Sequence, residues 1–162
     1  MLLSGNVDGI GTHARFQGFG RIAYSPDGSY TLVTDTNADS VRKIVFATRK
    51  VTTMPGTGGG MPLGIAISPD GQHALFTDRH RLKRIDLSSN AVEVIAGTNT
   101  AGSADGVGPS AKVLYYLIKA HNYTQWLYAE QCLKTHHIML HGLCSSINQV
   151  GWRTRPMEAL QY

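Results

Sequence analysis

One heptapeptide occurs twice in this chain. Ile22-Ala-Tyr-Ser-Pro-Asp-Gly28 returns as Ile65-Ala-Ile-Ser-Pro-Asp-Gly71, 43 residues later. The residues that follow also match, Ser29-Tyr-Thr-Leu-Val-Thr-Asp35 answering to Gln72-His-Ala-Leu-Phe-Thr-Asp78. Self-similarity at a fixed period encodes one supersecondary unit used again, so the chain is expected to contain two look-alike units. Each reads as four short strands. The apolar runs Gly20–Tyr24 and Leu63–Ile67 are rich in β-formers and end at turn residues. Ser-Pro-Asp-Gly then turns the chain: Pro presets φ, Asp suits the third position and Gly accepts the left-handed one. Asp27, Gly28, Asp70 and Gly71 are therefore predicted to be structural turn residues. Return strands follow at Tyr30–Thr34 and His73–Thr77, ended by Asp35 and Asp78, whose short carboxylates suit the N–H groups of the next turn. Ser40–Val45 and Leu82–Asp86 alternate apolar and charged residues as third strands. Lys50–Met54 and Ala91–Ala96 complete the two sets.

Four antiparallel strands per unit of this length, separated by glycine turns, predict an all-β fold: an incomplete β-propeller of about two blades. Closure into a ring takes roughly 4–8 blades. Six units at this period need on the order of 260 residues, against the 162 present. Three arrangements meet this shortfall. The chain is a piece of a larger propeller, several copies associate to complete a ring, or two blades stand alone; the first is the expectation.

A second marker frames the units. Asp8-Gly-Ile-Gly-Thr-His-Ala-Arg-Phe16 matches Asp105-Gly-Val-Gly-Pro-Ser-Ala-Lys-Val113, and Pro55-Gly-Thr-Gly-Gly-Gly-Met-Pro62 lies between them as a shortened version. Two units bounded by three junctions is the simplest account, with Met1–Asn6 read as the exit of a preceding strand. These phrases, with Asp35-Thr-Asn-Ala-Asp-Ser-Val-Arg-Lys-Ile44, resemble the NHL-repeat family of β-propellers over residues 1 to 112. Ser40 stands where an arginine is commoner in that family, and the second copy of this hairpin is two residues shorter. The resemblance implies a propeller fold. It says little of activity, because the family includes scaffolds, RNA binders and lyases, and sugar-lactone hydrolases share the shape.

Composition breaks near Val113. All eight Asp and sixteen of the eighteen Gly precede it, whereas both Cys, both Trp and four of the seven His follow. The expected third unit does not arrive, so 1–112 is read as propeller blades and 113–162 as a non-propeller tail, helix-compatible over 124–143. The net charge of +4 divides equally between the two parts. No run of eighteen apolar residues occurs, so no membrane-spanning helix is predicted. No signal peptide is visible at the first residues, which leaves the compartment undetermined.

Candidate chemistry is sparse. Asp35 and Asp78 sit at equivalent points of both units, and recurrence favours a structural role, since a metal ligand should be special to one blade. Asp8-Gly-Ile-Gly11 lacks the Lys-Ser/Thr and following helix of a phosphate loop. Arg79, Arg81, Lys83 and Arg84 form the one dense basic run in the units. They are the candidate partner-binding residues, for RNA phosphates or a protein, although no aromatic stacking residues lie beside them. In the tail, Cys132, His136, His141 and Cys144 are zinc-type ligands, but only four residues separate the two pairs, too few for the usual knuckle. No metal, cofactor or catalytic residue is therefore assigned. The function expected is non-enzymatic binding or scaffolding of a protein or peptide partner, with a metal-dependent enzyme of gluconolactonase-like or amidating-lyase type, or RNA binding through the basic hairpins, as the alternatives.

Overall fold

The computed structural model describes residues 5–102, 104, 106–110 and 112. Among them are two antiparallel sheets and almost no helix. The first sheet contains β1 (Gly9–Ile10), β2 (Phe19–Tyr24), β3 (Tyr30–Asp35), β4 (Ser40–Val45) and β5 (Lys50–Thr53), in spatial order β1-β5-β4-β3-β2. The second contains β6 (Pro62–Ile67), β7 (His73–Asp78), β8 (Arg81–Asp86) and β9 (Val92–Gly97), in simple chain order. The tail from 113 onward, including the expected helix and the Cys/His cluster, lies outside the described residues.

The two Ser-Pro-Asp-Gly turns have the same geometry. Gly28 and Gly71 adopt φ of 69° and 70°, a region an L-residue avoids. Gly28 N donates to Ser25 O and Gly71 N to Ser68 O. The serine hydroxyls close each turn, accepting from Tyr30 N and His73 N and donating to the carbonyls of the same residues. Asp27 Oδ1 accepts from Ser29 N at 3.0 Å, and Asp70 Oδ1 from Gln72 N at 2.9 Å.

Both inner strands bulge at the same place. The pairing of β2 with β3 shifts between Phe19 and Ile22, and that of β6 with β7 shifts between Pro62 and Ile65. A bulge takes an N–H out of the ladder, and a buried N–H needs a partner. A threonine of the return strand supplies it: Arg21 N donates to Thr34 Oγ1 at 2.7 Å, and Gly64 N to Thr77 Oγ1 at 2.8 Å.

The sheets pack face to face around Leu32, Val41 and Met54 of the first unit and Ile65, Ala74, Phe76 and Ile85 of the second. Burial of such side chains is worth on the order of 1.5–3 kcal/mol each, so this layer is the main apolar stabilisation. Thr34 Oγ1 also donates to Leu63 O at 2.9 Å, and Thr36 Oγ1 to Pro62 O at 2.7 Å, joining the sheets at their inner strands.

The segment Asp8–Gly11 differs from the expected plain junction. Gly9 and Ile10 pair with Val51 and Lys50 as an added outer strand. The reason is local: β5 offers a free edge there, and the Asp8 carboxylate accepts Thr53 N and the Thr53 hydroxyl.

Candidate functional site

The concentration of buried charge lies where each crossover connection meets its sheet. In β3 and β4, Val33 pairs with Arg42, and Asp35 with Ser40, so Arg42 and Asp35 share one face. The Asp35 carboxylate accepts Gln17 N and Gly18 N, from the connection that leads into β2. It does not turn to its own hairpin, as its position in the sequence had suggested; the nearer unsatisfied donors are those of the incoming chain. Arg42 is fully buried beside it and spends its fork on four oxygens: Asp35, Asp8 at 2.8 Å and the carbonyls of Val7 and Arg15. The Phe16 ring caps the guanidinium, with its centroid at 4.8 Å.

The second unit repeats this with different groups. Asp78 is fully buried and pairs with Lys83, and with Arg81 at 2.8 Å. Lys83 is the counterpart of Arg42, since Phe76 opposes Lys83 in register as Val33 opposes Arg42. Gly60 lies so close to Asp78 that a Cβ there would stand 1.8 Å from Oδ1. The amides of Gly59, Gly60 and Met61 are directed instead to Asp39, which sits at φ 57°. Burial of the Asp39 carboxylate opposes its ionisation, but these amides outweigh it and hold its pKa below the usual range. Asp8 is lowered similarly, burial being overcome by the bonds from Thr53 and Arg42. At the exposed turns the amide of Ser29 brings Asp27 down to about 2, and the Ser68 hydroxyl lowers Asp70.

The basic run is not one surface. Strand alternation and local pairing divide it: Arg79 is exposed in the β7–β8 turn at φ 53°, and Arg81 is drawn onto Asp78. Lys83 is buried against Phe76, whereas Arg84 on the opposite face pairs with Glu93. Of the four, Arg79 alone is exposed with no ion pair to an acid of its own hairpin, and its charge acts instead on Asp39 of the preceding unit. No group of three or more His, Cys, Asp or Glu among the described residues is placed to hold a metal ion. No helix among them is long and apolar enough to cross a membrane.

Sequence reading missed an exposed apolar face on the first sheet. Ile22 and Tyr24 are 54% and 67% exposed, and Phe46, stacked on Tyr24 at 6.0 Å, is 43% exposed. Their counterparts 43 or 41 positions on are Ile65, Ile67 and Leu87, which pack into the layer between the sheets. Phe46 N donates to Ser29 O as Leu87 N donates to Gln72 O, which fixes that equivalence. The repeat carried this signal, had the exposed positions been compared with their buried partners.

No family model matches the chain, and no curated protein matches it. Solved structures do. A protein of unknown function from Bacteroides thetaiotaomicron is 24% identical with a TM-score of 0.50, over 57% of this chain and 24% of its own. An auxiliary nutrient binding protein from Bacteroides ovatus is 21% identical with a TM-score of 0.50, over 61% of this chain and 26% of its own. The chain thus spans about a quarter of the length of these structures. At this identity the likeness concerns the fold, which is that of β-propellers, and two sheets of this topology are two of their blades.

Proposed function

We propose that the chain is a non-enzymatic binding or scaffolding module of NHL-repeat type that takes a protein or peptide at the end of the blades where the crossovers lie. The observation that carries this reading is the duplicated use of the buried carboxylates. Asp35 and Asp78 occupy equivalent places, each neutralised by a cation of its own sheet, and each serves the architecture. Their recurrence in both blades supports a structural use, while Asp78 Oδ1 is buried without a hydrogen-bond partner among the described residues. The surface at this end is irregular backbone held by a rigid sheet, a favourable platform for a partner. It includes Asn37, Met61 and Arg79, with Arg79 free of an acid in its own hairpin.

The test is a peptide or protein partner recovered by pull-down and measured by calorimetry, with Arg79→Glu expected to weaken binding about tenfold, or ~1.4 kcal/mol, without loss of β-sheet signal. Hydrolysis of an aldonolactone dependent on added Ca²⁺ or Zn²⁺ would contradict the reading. So would binding of single-stranded RNA with a steep salt dependence that is lost on changing Arg79, Arg81 and Arg84.

A further inference from the structure

The two buried acids at the crossovers are furnished differently by the chain that enters each sheet. In the first unit, Asp35 Oδ1 accepts Gly18 N at 2.8 Å and shares Gln17 N with Oδ2, which faces Arg42. In the second unit, Asp78 Oδ2 takes both cations, Arg81 and Lys83. Asp78 Oδ1 is left buried with no hydrogen-bond partner among the described residues. At the 43-residue offset its expected donors are Gly60 N and Met61 N. The chain is close enough to supply them, since a Cβ on Gly60 would stand 1.8 Å from Oδ1. Both amides are directed instead to Asp39 Oδ1, with Gly59 N on Asp39 Oδ2. Asp39 lies in the hairpin between β3 and β4; the hairpin between β7 and β8 is two residues shorter and carries no such acid.

We propose that this connection is a two-position element, in which the Gly60–Met61 peptide turns over and Met61 N passes from Asp39 Oδ1 to Asp78 Oδ1. Turning a peptide plane over changes ψ of the residue before it and φ of the residue after it. At Gly60 the absence of a Cβ leaves that ψ free. At Met61 the present position carries φ of 53°, where the Cβ of an L-residue crowds the following carbonyl. Gly18, which could adopt such a φ without penalty, bonds Asp35 from outside the left-handed region. The two residue types are thus the reverse of what the two backbones favour. The turned peptide gives Met61 the conformation of Gly18 and gives the buried Asp78 oxygen the donor it lacks. Asp39 opposes the change by losing one of its three amides. Met61 is 43% exposed at the end of the blades assigned above to a partner, so the exchange reshapes that surface. The proposal goes beyond the binding role and is tested without any partner, so each stands or falls alone.

Nuclear magnetic resonance of the full chain carrying Asp39→Gly decides it. The substitution removes the competing acceptor and suits the φ of 57° at that position. The Met61 amide is expected to exchange at least about tenfold more slowly than in a free peptide, because Asp78 now holds it. Its strong intraresidue amide–Hα cross-peak, the mark of a left-handed residue, should weaken as φ turns negative. The Asp78 carboxyl-carbon resonance should move from its wild-type position as Oδ1 takes the bond. Failure of any one of the three overturns the proposal. Faster exchange means that Asp39 is the only acceptor, a retained cross-peak that the peptide does not turn, and an unmoved resonance that Asp78 gains no donor. Should Asp39→Gly lose its circular-dichroism sheet signal, Met61→Val replaces it. That change disfavours the left-handed backbone with both acids in place, and the same three measurements read it with the same outcomes.

Discussion

Arg42 and Lys83 answer the same need with different chemistry. Arginine's planar fork lets Arg42 hold two carboxylates and two carbonyls at once. Lysine offers a point charge, so Asp78 recruits Arg81 as a second cation. Removing one member of a buried pair leaves the other uncompensated, which costs roughly 3–5 kcal/mol. Asp35→Asn should fall near the lower figure, about 3 kcal/mol, because Asp8 still engages Arg42. The urea midpoint measures it, and a loss below about 1 kcal/mol would return the pair to the weak class of surface bridges. Acid dependence belongs to this scale too. Asp27, held to about 2 by the Ser29 amide, and Asp8, Asp39 and Asp70, also lowered, bind protons more weakly folded than unfolded. Their contribution is complete above the unfolded value near 3.9 and is lost as pH falls through the folded values. The thermal midpoint should therefore decline steadily from about pH 4 toward pH 2; a flat profile would contradict these assignments.

Within the strands, the bulge and its threonine form one device. Thr77→Val keeps the shape but leaves Gly64 N without its acceptor, at a cost of about 1–3 kcal/mol. Thr34→Val should cost more, because the bond to Leu63 O between the sheets is lost as well. Equal costs in urea unfolding would show that the second bond contributes nothing. At the crossover, Gly60→Ala forces a Cβ onto Asp78 Oδ1 and should destabilise by roughly 1–3 kcal/mol, measured in the same way. The strands and turns were legible because Ser-Pro-Asp-Gly is short-range chemistry: the residues that make each turn are adjacent in sequence. The partners of Asp35 were not. Gln17 and Gly18 lie 18 and 17 residues away, and no local pattern names them. Nor did alternation reveal the sides of β3 and β7, where Thr31–Asp35 and Ala74–Asp78 are buried on both faces.

The molecule as a whole is a stack of sheets in which each sheet is made to be covered on both sides. That explains why the core forms between the units rather than within either one, and why Leu32 and Ile65, 33 residues apart, share a layer. It also explains why the basic run dissolves. Lys83 and Arg81 belong to the face buried against the first sheet, whereas Arg84 belongs to the far face. The 43-residue repeat made the two sheets readable, while the open face of Ile22, Tyr24 and Phe46 emerged only when its burial was set beside that of its counterparts. Nuclear Overhauser contacts between side-chain methyls test the central claim most directly. Cross-peaks from Leu32 and Val41 to Ile65, Ala74 and Ile85 are expected if the two look-alike sheets pack face to face. Strong contacts within each sheet with none between those two sets would contradict it.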